Sequence, residues 1–208
     1  MKRAKQGTKP RRGAIARRPA GRASARSRGG GRKTATSGAR SRIQAVPAGF
    51  QTVTPHLTLR GAAEAIDFYK RAFGAKERGR MPGPDGRTIM HAELRIGSSI
   101  VFIADEFPGV GPRAPHALGG TTGSLHLYVP NVDSAFARAV AAGAEVRMPV
   151  QDMFWGDRYA KVADPFGHEW GLATHKEDLS AKQIGERSQA FFAKMSGSPG
   201  LAGSGGGA

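Results

Sequence analysis

Apolar and polar positions alternate with a period of two over Thr52-Val-Thr-Pro-His-Leu-Thr-Leu59, the pattern of a strand with one buried face. Pro55 has no N–H to give to a ladder, so the first part of that strand is expected at an edge or an irregularity. The period then changes. Over Ala62–Phe73, the side chains of Ile66, Tyr69 and Phe73 and the stem of Lys70 recur at helical spacing, which predicts an amphipathic helix, and Gly74 supplies its stop. The cluster Met81–Gly86 predicts a turn, and Thr88–Ile96 with Ser99–Ala104 predicts a hairpin about Gly97-Ser98. Phe107–Gly123, rich in glycine and proline, predicts a long dividing loop.

The same order then recurs. Ser124–Val129 reads as a strand, Val132–Ala142 as a helix ending at Gly143-Ala144, and Glu145–Met148 as a further strand. A loop through Asp152–Asp157 leads to strands at Arg158–Ala163 and His168–Thr174, joined by the turn Asp164-Pro-Phe-Gly167. Phe73-Gly-Ala75 matches Ala142-Gly-Ala144, and Asp85-Gly-Arg87 parallels Gly156-Asp-Arg158, each about 70 residues on. The simplest organisation is an α+β domain over residues 47–178, built from two βαβββ modules at about 50–106 and 122–176. Beyond it, Ser180-Ala-Lys-Gln183 has the form of a capping box and opens a helix over residues 179–196. That helix carries Ile184, Phe191, Phe192 and Met195, for packing on the domain or on a partner subunit. Residues 197–208 are a Gly/Ser tail expected to be disordered.

Charge changes the picture only at the N-terminus. The net charge is +16, but residues 1–46 hold fifteen Lys or Arg and no acid, so the rest balances at 17 basic against 16 acidic residues. With almost no large apolar side chain, residues 1–46 cannot offset their ordering entropy and are expected to be disordered. Such an arm could bind nucleic acid non-specifically through counterion release, but it has no interleaved aromatic residue for base stacking. A solvated tail, or a translation start further downstream, is the favoured reading over a nucleic-acid partner. Its Gly and Pro content also argues against an amphipathic transit peptide. The chain has no cysteine, which excludes disulfides, thiolate ligands and a cysteine nucleophile. No apolar run approaches the roughly 20 residues of a membrane span. A soluble, cytoplasmic protein without a membrane partner is expected.

Four segments carry a resemblance: Ala65-Ile-Asp-Phe-Tyr69 with Phe73-Gly-Ala75, Met90-His-Ala-Glu-Leu94, Leu125-His-Leu-Tyr-Val129, and Asp164-Pro-Phe-Gly-His168. In that order they resemble the vicinal oxygen chelate superfamily, also called the glyoxalase/bleomycin-resistance/dioxygenase fold. Its PhnB-like subgroup is similar across Gly49 to Asp178, including Ala173-Thr-His175. The resemblance implies two βαβββ modules forming a curved mixed-sheet half-barrel, completed within a homodimer, with a ligand held in the cup. It also implies one metal ligand from each of four strands, and those positions fall near Thr54, Ile103, Ser124 and Gly171, poor ligands for a divalent metal. Two residues away, on the same strand faces, lie His56, Asp105, His126 and Glu169, which form the alternative metal set.

Other candidates have two readings each. Glu169 and Glu93 are the carboxylates that could move a proton in a metal-assisted reaction, yet His91 and Glu93 also read as a solvated cross-strand pair. Phe154, Trp155, Tyr159 and Trp170 read either as core and rim packing or as an aromatic cup wall with His56, Asp105 and His126. His168 and His175 have no evident partner in the sequence and read as surface groups. Nothing resembles a glycine-rich strand-to-helix loop suited to a nucleotide-like methyl donor. The favoured expectation is a small-molecule binding protein without the superfamily's metal or another cofactor. The alternative is a metal-dependent lyase, isomerase or dioxygenase of the glyoxalase type.

Overall fold

The computed structural model describes residues 43–196; the basic segment 1–42 and the Gly/Ser tail from 197 lie outside the described residues. The first module runs β1 (His56–Leu59), α1 (Ala62–Phe73), β2 (Lys76–Pro82), β3 (Ile89–Ile96) and β4 (Ser99–Asp105). The second runs β5 (Ser124–Tyr128), α3 (Val132–Ala142), β6 (Glu145–Asp152), β7 (Asp157–Ala163) and β8 (Glu169–His175). A single turn of helix, α2 (Pro115–Leu118), interrupts the connecting loop, and α4 (Ala181–Ser196) follows the second module.

Each module makes one four-stranded mixed sheet, in the orders β1-β4-β3-β2 and β5-β8-β7-β6. The first strand lies parallel to the last, and the rest are antiparallel. The parallel pair follows from the helix: a chain that leaves β1 through α1 re-enters the sheet by a crossover rather than a hairpin. Among the described residues no ladder joins the two sheets, so they do not close into a barrel. Several elements differ from expectation: β6 runs past the expected end at Met148 to Asp152, and α2 interrupts the expected loop. β1 starts at His56, after Pro55, and β2 is a full strand that the hydrophobic pattern did not announce. Its sequence Lys-Glu-Arg-Gly-Arg-Met-Pro is exposed almost throughout, so there is no buried face to impose alternation.

Both helices and one face of both sheets share a single core. Leu57, Leu59, Ile66, Phe68, Tyr69, Leu94 and Ile103 come from the first module, and Val132, Val162, Trp170 and Leu172 from the second. The joint is aromatic: Trp170 lies 4.6 Å from Phe73 and 5.4 Å from Tyr69, and Phe166 meets Phe68 edge-on at 6.2 Å. At its centre is Asp164, only 4 % exposed. Its Oδ1 accepts the N–H groups of Phe166 and His168, both at 2.9 Å, and its Oδ2 accepts the Tyr69 hydroxyl at 2.7 Å and the Trp170 indole N–H at 3.0 Å. A buried carboxylate with four donors is satisfied where an unpaired one would be costly. Burial, then Asp164, hold the Tyr69 phenol well above its ordinary pKa. His168 is likewise buried rather than at the surface, donating Nε2–H to the Thr58 carbonyl at 3.2 Å.

Helix entry is handled alike in both modules by the last strand. Asp105 at the end of β4 accepts from Gly61 and Ala62 at the start of α1 and from Ile89, at 3.0, 2.9 and 2.7 Å. Thr174 on β8 accepts from Val132 at the start of α3 at 2.8 Å. The capping box forms as expected, with Ser180 N–H to Gln183 Oε1 at 2.9 Å and Gln183 N–H to Ser180 Oγ at 3.4 Å. α4 packs back on its own domain through Phe191 and Phe192, 5.5 and 5.8 Å from Phe154.

Candidate functional site

On β5, β7 and β8 the residues that alternate with Leu127, Val162 and Leu172 turn away from the shared core. They form an open face carrying His126, Tyr128, Asp157, Tyr159, Lys161, Glu169, Gly171 and His175. Its floor is set by a missing side chain. A Cβ at Gly171 would stand 2.7 Å from the Tyr159 hydroxyl and 2.9 Å from its ring, so that ring lies down on the strand. It stacks on His126, with centroids 5.6 Å apart and planes at 22°, and meets Trp155 edge-on at 5.7 Å. Tyr128 adds a fourth ring 4.7 Å from His126. The result is an aromatic shelf exposed at one side.

Asp157 fixes the rim of this shelf. It is 4 % exposed, and its Oδ2 accepts from the Trp155 indole at 3.0 Å and the Tyr128 hydroxyl at 3.1 Å, while Oδ1 faces His175 Nδ1 at 2.8 Å. His175 Nε2 is 3.0 Å from Asp178. Hydrogen bonds to Asp178 and then to Asp157 raise the His175 pKa. His175 is exposed, as expected of a surface group, but it has two carboxylate partners that the sequence did not reveal. Asp178 lies only three positions on in the sequence, whereas Asp157 reaches His175 across the sheet.

The first module has its own open face. Phe102 sits beside His91 (4.7 Å), His56 (6.0 Å) and Phe50 (5.9 Å), and the Arg78 guanidinium lies over the Phe50 ring at 5.1 Å. Burial, and then His91, hold the His56 pKa below its ordinary value. Glu93 is paired with Arg78 at 3.2 Å and stands 3.9 Å from His91. Among the described residues every ring contact between modules lies on the core side, and none links the two open faces.

The structure therefore divides the predicted site residues. His126, Trp155 and Tyr159 come together on one face, His56 lies on the other, and three leave the cup. Trp170 is 2 % exposed in the core, its N–H spent on Asp164. Asp105 caps α1 with both carboxylate oxygens engaged by backbone N–H groups. Phe154 lies against α4 and meets the shelf's Trp155 only edge-on, at 4.9 Å.

The alternative metal set does not fit either. Glu169 is clamped by the Lys161 ammonium, Asp105 has no free oxygen to turn, and Gly171 carries a tyrosine ring where the resemblance implied a ligand. Among the described residues no three His, Asp or Glu side chains converge as a metal ion would require. Sequence reasoning missed His175, Asp157 and Tyr128; the pairing of His with Asp across β7 and β8 needed the register Asp157↔His175.

Comparison with known proteins places this geometry. An uncharacterized protein of Mycobacterium tuberculosis, Rv0887c, is 47% identical over 135 residues, covering 64% of this chain and 79% of that protein. Protein YjdN of Escherichia coli is 26% identical over 145 residues, covering 60% of this chain and 96% of that protein. The crystal structure of TioX from Micromonospora sp. ML1 is similar with a TM-score of 0.50 and 32% identity, covering 60% of this chain and 98% of that one. Residues 52–172 match the sequence profile of the Glyoxalase/Bleomycin resistance protein/Dioxygenase superfamily, and with its paired βαβββ modules the chain belongs to that superfamily.

Proposed function

We propose that this protein holds a flat, largely apolar small molecule against the open face of its second module, without the metal of the superfamily's enzymes. The observation that carries this reading is the Tyr159 ring lying on Gly171 and stacked on His126. Rings offset in this way expose a π face on which a planar ligand gains stacking as well as apolar burial. Asp157, buried and bonded to Trp155, Tyr128 and His175, keeps two of the shelf's rings in place before a ligand arrives, which lowers the cost of ordering them on binding. Completion of the cup by a second copy, giving a homodimer, belongs to the same proposal.

The test is a titration of the full chain with 1-anilinonaphthalene-8-sulfonate, read by energy transfer from tryptophan. Tyr159→Ala removes the shelf, and Gly171→Ala pushes the ring off the strand while leaving the backbone free to fold; each should weaken binding at least tenfold. Unchanged affinity in both variants refutes the reading. So does stoichiometric nickel, zinc, manganese or iron in the purified protein that disappears in His126→Ala.

A further inference from the structure

Strand β5 is an edge strand of its sheet, pairing only with β8, and its residues alternate between exposed and half-buried. Val129 N–H donates to Ala173 O at 2.8 Å, so by alternation Leu125 and Leu127 also turn their backbone groups to β8. The N–H and C=O of Ser124 and His126 therefore point out of the sheet. Opposite them stand residues of the first module: Pro55, Ile96, Ser99 and Val101, with Trp170 closing one end. The space between is a cavity of about 350 Å³. Both faces of β5 line it, Leu125 and Leu127 from the core side and Ser124 and His126 from the open side, which places it against the strand's edge itself. Its walls are apolar and firmly held: Ile96 and Val101 are 4 % exposed and Trp170 2 %.

We propose that this cavity is a second binding site, for a flat two-ring molecule carrying an N–H donor beside a carbonyl acceptor, such as a lactam, which pairs with the β5 edge as a neighbouring strand would. Three observations converge on that class. The volume lies at the lower end of the range of about 300–1,000 Å³ for small-molecule pockets. The apolar walls of Ile96, Val101, Leu125 and Trp170 favour a ring system. The outward backbone groups are unpaired in the sheet, so an N–H donor and a carbonyl acceptor are available along the cavity's β5 side. This site borders the Tyr159 shelf at His126, which belongs to both, but it does not rest on the function proposed for the shelf.

The experiment titrates 15N-labelled full chain with 2-quinolone and with N-methyl-2-quinolone, a probe of nearly the same shape with its donor removed. The expected result is saturable shifts of the Ser124 to Leu127 amides with 2-quinolone and at least tenfold weaker binding of the N-methyl compound. Ser124→Pro deletes one outward N–H at the first residue of an edge strand, a place where proline is tolerated, and should also weaken 2-quinolone at least tenfold. If that variant does not fold, the comparison of the two probes still decides. Equal binding of both probes overturns the proposal, since the cavity would then recognise apolar shape alone. Shifts confined to Trp155 and Tyr159 overturn it while leaving the shelf reading intact. Shifts of the β5 amides on raising protein concentration without a probe overturn it too, because the edge would then belong to a second copy.

Discussion

Tyr69→Phe should loosen the junction between the two modules by a measurable and bounded amount. The substitution removes one hydroxyl and keeps the ring, so the stacking against Phe73 and Trp170 survives and no cavity of consequence opens. What is lost is a 2.7 Å hydrogen bond to a carboxylate in a site where Tyr69 is fully buried and Asp164 is 4 % exposed. Hydrogen bonds to charged groups contribute about 1.5–3 kcal/mol, and Asp164 keeps three other donors, so the loss should fall in that interval. Asp164→Ala should cost more, about 3–5 kcal/mol, because it strands the Tyr69 hydroxyl, the Trp170 N–H and two backbone N–H groups together. Equilibrium unfolding in urea, followed by far-ultraviolet circular dichroism at constant m, measures both. Tyr128→Phe is the internal control: its hydroxyl also bonds a carboxylate, but Tyr128 is 61 % exposed, and it should cost under about 1 kcal/mol. If Tyr69→Phe lies within about 0.5 kcal/mol of the parent, the ordinary range for surface changes, the Tyr69–Asp164 bond does not hold the modules together and the argument fails.

Two further outcomes follow from the rim of the shelf. Gly156 has φ of +99°, and a Cβ there would stand 2.5 Å from the Glu177 carbonyl oxygen; Gly156→Ala must therefore both strain the backbone and push away the connector to α4. A loss of about 1–3 kcal/mol in urea unfolding, with faster hydrogen exchange over residues 176–180, is expected, and an unchanged midpoint would contradict it. Stability should also respond to His175. Its folded pKa is raised by Asp178 and Asp157, so its contribution is complete below the ordinary histidine value of about 6.5 and is lost as pH rises through the raised folded value. Urea midpoints measured from pH 6 to 9 should fall for the parent relative to His175→Gln, and parallel curves would refute the assignment.

Much of the architecture was legible from local chemistry. Helix α1 announced itself by apolar spacing and Gly74, the Asp164–Gly167 turn by its proline and glycine, and the Ser180–Gln183 cap by its two side chains. Each is a feature in which a few neighbouring residues decide the conformation. β2 was not legible, because a strand exposed on both faces carries no alternation to read. Two of the four segments that carry the resemblance are bonded to each other, Tyr69 to Asp164 over 95 positions of sequence, and no local pattern could state that.

Sequence by itself determined the order of elements apart from β2 and α2, and the doubling of the module. Those depend on residue identity and on spacings of a few positions. Tertiary structure alone decided which polar and aromatic side chains meet. It sent Asp105 to cap a helix, Trp170 into the core and Phe154 under α4, and it gathered His126, Tyr159 and Trp155 over a glycine. The physical reason is that a strand's period of two tells which residues share a face, whereas the partner on that face is set by register and by crossovers between strands far apart in the chain.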